Sequence, residues 1–104
     1  MKLYISGPMT GIPGHNRAVF YEAEKMLRKV GYQVVNPANV ALGPDATWNQ
    51  YMRTAMKKIA SVDGIAQLED WQTSHGACLE ASWASSLGIP AAGIGVWILV
   101  GSKK

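Results

Sequence analysis

Segments with the two-residue period of a strand alternate with segments of helical period along this 104-residue chain. Strands are predicted at Lys2–Ser6, Tyr32–Asn36 and Gly64–Leu68. Helices are predicted at about 16–30, after Asp45 or Thr47 with a stripe that reaches Ile59, and at about 75–87. Such alternation is typical of parallel sheets whose strands are joined by right-handed crossovers. We therefore predict an α/β fold: a three-layer α/β/α sandwich with a four- or five-stranded, mostly parallel sheet of Rossmann or flavodoxin type.

Local signals give these helices their ends and buried faces. Gly31 and Gly88 are predicted to end helices 1 and 3, and Asp45 or Thr47 to cap helix 2. The predicted apolar stripes are Val19, Ala23, Met26 or Leu27, and Val30 in helix 1, and Trp48, Met52, Ala55, Met56 and Ile59 in helix 2. The closing segments "IPAAGI" and "VWILV" are predicted to supply one or two more strands.

Composition predicts one domain, residues 1–104, with 48% hydrophobic and 16% charged residues. The net charge of +3 comes from scattered lysines and arginines, so we expect no nucleic-acid partner. Cys78, the only cysteine, excludes an internal disulfide and a cysteine metal cluster, and we expect it to be buried. No metal or other cofactor is expected. Lys2 precedes a short strand rather than a long apolar run, and no stretch is long enough for a bilayer, so a cytoplasmic protein is expected.

Two elaborate turns follow strands 1 and 3, at "GPMTGIPG" and "EDWQTSHG". The carboxyl ends of parallel strands share one edge of the sheet, where ligands of open α/β folds bind. Glycine there lets backbone N–H groups approach a ligand closely. We therefore predict a ligand site that includes the first-turn residues Gly7, Pro8, Met9 and Thr10.

The start of helix 3, "TSHGACLE", adds a second part of that site. Ser74 can cap the helix, and the free N–H groups around Ser74, His75 and Gly76 suit an anion such as phosphate. Glu80 lies one turn beyond Gly76 on the same face. It is either a solvent-facing glutamate or a carboxylate in a cleft, and its apolar neighbours favour the cleft. A structural role is equally open for Ser74 as a plain cap, for Tyr4 as a packed aromatic residue and for His15 as a turn residue.

The segments "YISGPMTG", "VVNPA", "SVDGIAQLEDWQTSHGACLE" and "LGIP" resemble the nucleoside 2-deoxyribosyltransferase-like superfamily. Within it, the chain is similar to small phage and prophage members related to the 2′-deoxynucleoside 5′-phosphate N-hydrolases. The resemblance covers roughly residues 2–90.

The resemblance implies that Glu80 is a nucleophile that attacks C1′ of a 2′-deoxyribose and displaces the base. Water or a second base would then resolve the glycosyl ester. It also implies that Tyr4 lies near the nucleophile, that Gly7 offers a backbone contact, and that Ser74 and Gly76 contact the phosphate or a sugar hydroxyl.

The sequence departs from the family pattern where the leaving base would be protonated. The family typically has an aspartate on helix 2, eight residues before the residue that is Asp63 here, and that position is Ala55. Asp63, Glu69 or Asp70 are the candidate replacements, although Asp63 is better explained as a hydrogen-bonding residue at the start of strand 3. Thr10 also stands where relatives can carry a basic phosphate ligand.

These observations leave two functional hypotheses and one structural alternative. The first is an N-glycosidase or deoxyribosyltransferase that acts on a small-molecule deoxynucleoside or its 5′-monophosphate. The second is a binding module that has lost efficient chemistry and sequesters or senses a nucleotide, and the third is a scaffold. A homodimer or higher homo-oligomer is expected through Trp83 and Leu87 of helix 3 or through the apolar C-terminal strand.

Overall fold

The structure, a computed structural model, describes residues 1–40 and 42–103. Ala41, in the predicted polar turn before helix 2, and Lys104, in the predicted single domain 1–104, lie outside the described residues. The strands are β1 (Lys2–Ser6), β2 (Gln33–Val35), β3 (Gly64–Gln67) and β4 (Ala91–Gly93). The helices are α1 (Arg17–Lys29), α2 (Trp48–Ile59), α3 (His75–Ser86) and α4 (Ile94–Ser102), with single 3₁₀ turns at Pro13–Asn16, Pro37–Asn39 and Trp71–Thr73.

The four strands form one parallel sheet in the order β2-β1-β3-β4. Strand β1 lies between β2 and β3, and Tyr4 is in register with Val35 on one side and Ile65 on the other. The chain first moves from β1 to β2 and then returns across β1 to β3, so the order reverses between β1 and β3. Such a reversal opens a crevice at the carboxyl ends of the two strands. The predicted α/β fold is confirmed.

Helices cover both faces of the sheet. Helices α1 and α4 pack on the face that carries Leu3 and Ile5, and α2 and α3 pack on the face that carries Tyr4 and Ile65. The alternation of side chains along β1 sends successive residues to opposite layers. Both layers have a buried core, so β1 is covered on both sides, as expected for a central parallel strand.

The predicted helix ends agree closely with the structure. Gly31 and Gly88 follow α1 and α3 with φ of 99° and 71°, a left-handed conformation that glycine adopts without strain. Thr47, rather than Asp45, caps α2. Its hydroxyl accepts from the Gln50 N–H at 3.2 Å while the Gln50 side chain accepts from the Thr47 N–H at 2.8 Å.

The segment "VWILV" is helical, so the prediction of a further strand there is wrong. A short apolar run does not distinguish a strand from a buried helix, and tertiary contacts decide. Trp97 Nε1 donates to the Ile65 carbonyl at 2.8 Å, and the Tyr32 hydroxyl donates to the Trp97 carbonyl at 2.7 Å. These bonds hold α4 against the sheet, beside α1.

Both predicted apolar stripes are right in part, and one further residue is misplaced. Helix α1 buries Phe20, Ala23 and Leu27, whereas Val19 and Met26 are exposed. On α2, Ala55 and Ile59 are buried, but Trp48 and Met56 are exposed. Each helix offers more apolar residues than one face can bury, so the packing partner selects the stripe. Cys78, predicted to be buried, is exposed.

Among the helices that the structure describes, none is both long enough and apolar enough to cross a membrane.

Candidate active site

A cleft of ≈ 330 Å³ opens where β1 ends, at the carboxyl edge of the sheet. The walls of the cleft come from the end of β1 and the turn after it, the segment after β2, the starts of α1 and α3, and much of α2. The lining residues are Tyr4, Gly7, Met9, Thr10, His15, Arg17, Phe20, Pro37, Ala38, Val40, Trp48, Tyr51, Met52, Thr54, Ala55, Lys58, Ser74, Gly76, Ala77 and Glu80. The prediction of a cleft at this edge of the sheet is therefore consistent with the structure.

Glu80 is the buried polar centre of the cleft. Its side chain is 6% exposed and projects from α3 toward β1. The Tyr4 hydroxyl donates to Glu80 Oε2 at 2.6 Å, and the Ser6 hydroxyl donates to Oε1 at 2.6 Å. Each carboxylate oxygen accepts one short bond and keeps further acceptor capacity. The carboxylate is thus held in one orientation with lone pairs left for a ligand.

The sequence interpretation missed Ser6, although a signal for it exists. Tyr4 and Ser6 are two residues apart on a strand and therefore share the face opposite to Leu3 and Ile5. A serine at the carboxyl end of a strand, on the same face as a tyrosine already assigned to the site, points to the same ligand edge. Ser6 is 1% exposed, and its only place for a hydrogen-bond partner is inside the molecule.

Burial and hydrogen bonding act in opposite directions on Glu80. Burial raises the pKa of the carboxyl above its ordinary value, and the hydrogen bonds from Ser6 and Tyr4 oppose that rise without cancelling it. The pKa of Tyr4 is raised well above its ordinary value by burial, by the adjacent charge of Glu80 and by the bond to it. Tyr4 therefore stays protonated as a donor, and Glu80 is the group of the pair that ionises.

The turn after β1 packs closely against Leu68, where the turn after β3 begins. A Cβ added at Gly7 would lie 2.7 Å from Leu68 Cβ, so only glycine fits there. The Asn16 side-chain amide donates to the Pro8 carbonyl at 3.0 Å and ties the end of the turn back to its beginning. Of the predicted turn residues, Gly7, Met9 and Thr10 line the cleft, whereas Pro8 does not.

The first turn of α3 forms the opposite wall. The Ser74 hydroxyl accepts from the Ala77 N–H at 3.2 Å, which confirms Ser74 as the helix cap. Ser74 and Gly76 line the cleft together with Glu80. A Cβ at Gly76 would lie 3.3 Å from the Met52 sulfur, so a larger residue would press on α2. Ser74 and Gly76, two of the residues predicted to bind an anion at the start of α3, are therefore accessible from the cleft.

His75 is not part of the cleft wall. It is exposed, and its ring stacks on that of Trp48, with centroids 5.3 Å apart and planes 17° apart. Trp48 does line the cleft, so His75 lies behind a wall residue rather than in the wall. The stack joins the first residue of α2 to the first residue of α3.

The carboxylates considered as replacements for a helix-2 acid lie elsewhere. The Asp63 carboxylate accepts from the Lys2 N–H at 2.7 Å, which places it at the start of β1 and β3, away from the cleft. Glu69 and Asp70 line a separate, shallow hollow beside Gly93 and Ile94. Among the residues that line the cleft, Glu80 is the only acid.

Ala55 lines the cleft from α2, as its predicted inward position requires. The sequence interpretation did not identify the basic residues nearby. Arg17, the first residue of α1, and Lys58, three residues beyond Ala55 on the stripe of α2, both line the cleft. Neither forms an ion pair with another described residue. The wall therefore carries two free cations and one buried carboxyl, a balance that favours an anionic ligand.

No cluster of three or more potential metal ligands is found within residues 1–40 and 42–103.

Comparison with known proteins yields a family and a fold. A search of curated proteins found no match. Among solved structures, the chain is similar to a 2-deoxyribosyltransferase from the psychrotolerant bacterium Bacillus psychrosaccharolyticus, with a TM-score of 0.67 and 17% sequence identity. The match covers 88% of this chain and 69% of that chain. The predicted nucleoside 2-deoxyribosyltransferase-like fold is thereby confirmed. The model of a family described as a domain of unknown function (DUF4406) matches residues 1–92, most of the chain, so the chain belongs to the DUF4406 family.

Proposed function

We propose that the protein cleaves or transfers at the N-glycosidic bond of a 2′-deoxynucleoside or its 5′-monophosphate. The observation that carries this proposal is the buried Glu80 carboxyl, held on both oxygens by Tyr4 and Ser6 in a cleft that opens at a ligand-binding edge. A 2-deoxyribosyltransferase with the same fold supports the choice of substrate class.

Glu80 acts as the nucleophile in this reaction. One carboxylate oxygen forms a bond to C1′ of the deoxyribose, the C1′–N bond breaks, and its electron pair leaves with the base. The resulting glycosyl ester is resolved by water in hydrolysis, or by a second base in transfer. Because the carboxyl is buried, its charge is poorly solvated and readily shared with an electron-deficient C1′. Tyr4 and Ser6 keep it oriented for attack.

The cations of the wall favour the nucleotide over the nucleoside. Arg17 and Lys58 line the cleft without an ion-pair partner among the described residues, and the first-turn N–H groups of α3 lie beside Ser74 and Gly76. A 5′-phosphate offers the negative charge and the acceptor oxygens that such groups bind. Thr10, also in the wall, adds a hydroxyl.

A second function, nucleotide binding without efficient turnover, is favoured by Ala55. This residue faces the cleft and offers no proton to a leaving base. A general acid contributes about 10²–10⁴-fold in rate. Without another donor, the same cleft would bind a nucleotide and release it unchanged.

We also infer that the chain self-associates through α4. Val96, Leu99 and Val100 are exposed on this helix, and no charged residue interrupts it between Ile94 and Ser102. Leu87, at the end of α3, is exposed as well, whereas Trp83 is half-buried against the sheet core. A second copy presents the same apolar face and is its simplest complement.

Incubation with each deoxynucleoside 5′-monophosphate, followed by chromatography for free base, tests the function. We expect release by the parent protein and a loss of about 10⁴-fold or more in Glu80→Gln, because the nucleophile is removed. Glu22→Gln, at an exposed position on α1, is the matched control. Thermal stabilisation without release would support the binding module instead, since a ligand at a hundred times its Kd adds about 2.7 kcal/mol. If the protein neither releases base nor is stabilised by any of these nucleotides, both functions are contradicted.

The effect of Glu80→Gln on folding stability can be measured without any turnover. The pKa of Glu80 is raised in the folded chain, so the folded state holds the proton more tightly than the unfolded state. Stability is therefore lost as the pH rises from the ordinary glutamate value through the raised one. Glu80→Gln removes that loss, and we expect it to be more stable than the parent at neutral pH. The difference should vanish in acid, and chemical denaturation at several pH values measures it.

A further inference from the structure

A nucleobase that leaves a sugar needs a proton, and the wall of the cleft offers few sources. Glu80 is the only carboxyl among the lining residues, and the proposed reaction uses it as the nucleophile. Asp63, Glu69 and Asp70 lie outside the wall. If base is released, the proton comes from a group other than a carboxylic acid of this cleft.

The remaining ionisable groups of the wall differ greatly as acids. They are Tyr4, His15, Arg17, Tyr51 and Lys58. A guanidinium does not give up its proton in proteins, and a phenol or an ammonium is a much weaker acid than an imidazolium. Tyr4 is moreover committed to its bond with Glu80. Histidine is the side chain most often used for proton transfer near neutral pH.

His15 is also held in the wall by an unusual piece of backbone. Gly14, His15 and Asn16 have φ of 63°, 54° and 61°, three successive residues in the left-handed region. This conformation is unfavourable for side chains with a Cβ, and such strain is concentrated at functional sites. The His15 N–H donates to the Ile12 carbonyl at 2.9 Å, and Asn16 is tied to Pro8. The turn is thus closed internally, with His15 presented to the cleft.

We propose that His15 is the general acid that protonates the leaving base. This proposal rests on the proposed function, since it supplies the proton for the bond that Glu80 breaks. As Glu80 bonds to C1′, the C1′–N electron pair moves to the base nitrogen, and the His15 imidazolium gives its N–H proton to the base. In hydrolysis, the neutral imidazole then takes a proton from the water that attacks C1′, the ester bond breaks, and both side chains return to their starting states.

A pair of substrates with different leaving groups tests this role. One is a deoxynucleoside 5′-monophosphate, whose base needs a proton, and the other is 4-nitrophenyl 2-deoxyribofuranoside 5-phosphate, whose nitrophenolate leaves without one. The variant is His15→Asn, because asparagine tolerates the left-handed backbone but is not an acid. We expect kcat/KM for the nucleotide to fall by about 10²–10⁴-fold and that for the nitrophenyl compound to stay near the parent value.

The other outcomes are separable. An equal loss on both substrates overturns the proposal, because His15 would then act in binding or in holding the turn. If His15→Asn lowers kcat/KM for neither substrate, the proposal is also overturned, and Tyr51 and Lys58 become the candidate acids. His75→Ala is the matched variant: it removes an imidazole outside the wall, so any effect should be the same on both substrates. The proposed function itself would be contradicted if the parent released no nitrophenolate and no base, or if Glu80→Gln released nitrophenolate as fast as the parent.

Discussion

The cleft and the outer face of α4 depart in opposite ways from the usual distribution of residues. The cleft buries polar groups, with Glu80 6% exposed, whereas α4 exposes apolar ones, with Leu99 59% exposed. Buried polar residues and exposed apolar surfaces are the two departures that carry information about function.

The two regions differ in what completes them. In the cleft, Tyr4 and Ser6 satisfy the carboxyl, and no buried side-chain polar atom of the described residues lacks a partner. The polar centre is therefore stable before any ligand arrives, as catalysis by a pre-organised group requires. The face of α4 has no complement within the described chain, and only another molecule could bury it. The first region suits the proposed chemistry at Glu80, and the second suits the proposed self-association.

Among changes that separate the α4 face from the cleft without removing the nucleophile, Leu99→Lys on α4 should have the largest effect. In a symmetric dimer, one substitution places a charge at two buried leucine positions, each worth about 1.5–3 kcal/mol. The Kd of the dimer should rise by about 10²–10⁴-fold, which sedimentation over a dilution series measures. Met56→Lys, at an exposed position on α2 in the opposite layer, is the control. A parent that is monomeric at every concentration would contradict self-association.

A smaller effect is expected from Ser6→Ala in the cleft. This change removes a bond that lowers the pKa of Glu80, so the pKa moves further up and less carboxylate is present at a given pH. A bond to a charged group contributes about 1.5–3 kcal/mol, so activity near the acid limb should fall by about 10–100-fold. The loss should shrink as the pH rises, because Glu80 still ionises.

The pH profile of kcat/KM for Ser6→Ala separates this role from a purely structural one. A defect of the same size from pH 5 to pH 9 would show that Ser6 supports only the fold.

The smallest effect is expected from Glu69→Gln combined with Asp70→Asn. Both carboxylates follow β3 but line the shallow hollow beside Gly93 rather than the cleft. Asparagine also tolerates the left-handed conformation of Asp70, whose φ is 65°. Base release should therefore stay within about twofold of the parent, as for surface changes remote from a site. A loss of tenfold or more would place one of these acids in the reaction and contradict the separation of the two hollows.

The sequence by itself determined the alternation of strands and helices, the parallel sheet and the edge at which the cleft opens. It also predicted the cap at Ser74 and a cleft position for Glu80, whereas Tyr4 entered the candidate site only through the family resemblance. These features are local: a period of two or 3.6 residues, a capping serine or threonine, and a glycine with positive φ are each encoded within a few neighbouring positions.

The tertiary structure decided which of these local features meet. Ser6 and Glu80 are 74 positions apart and meet only because α3 packs on the Tyr4 face of β1. The apolar segment after Gly93 became a helix because its tryptophan bonds to β3. Packing likewise turned His15, Arg17 and Lys58 toward the cleft and left Glu69 and Asp70 outside it. A contact between distant elements depends on how whole layers fit together, and no local pattern records that fit.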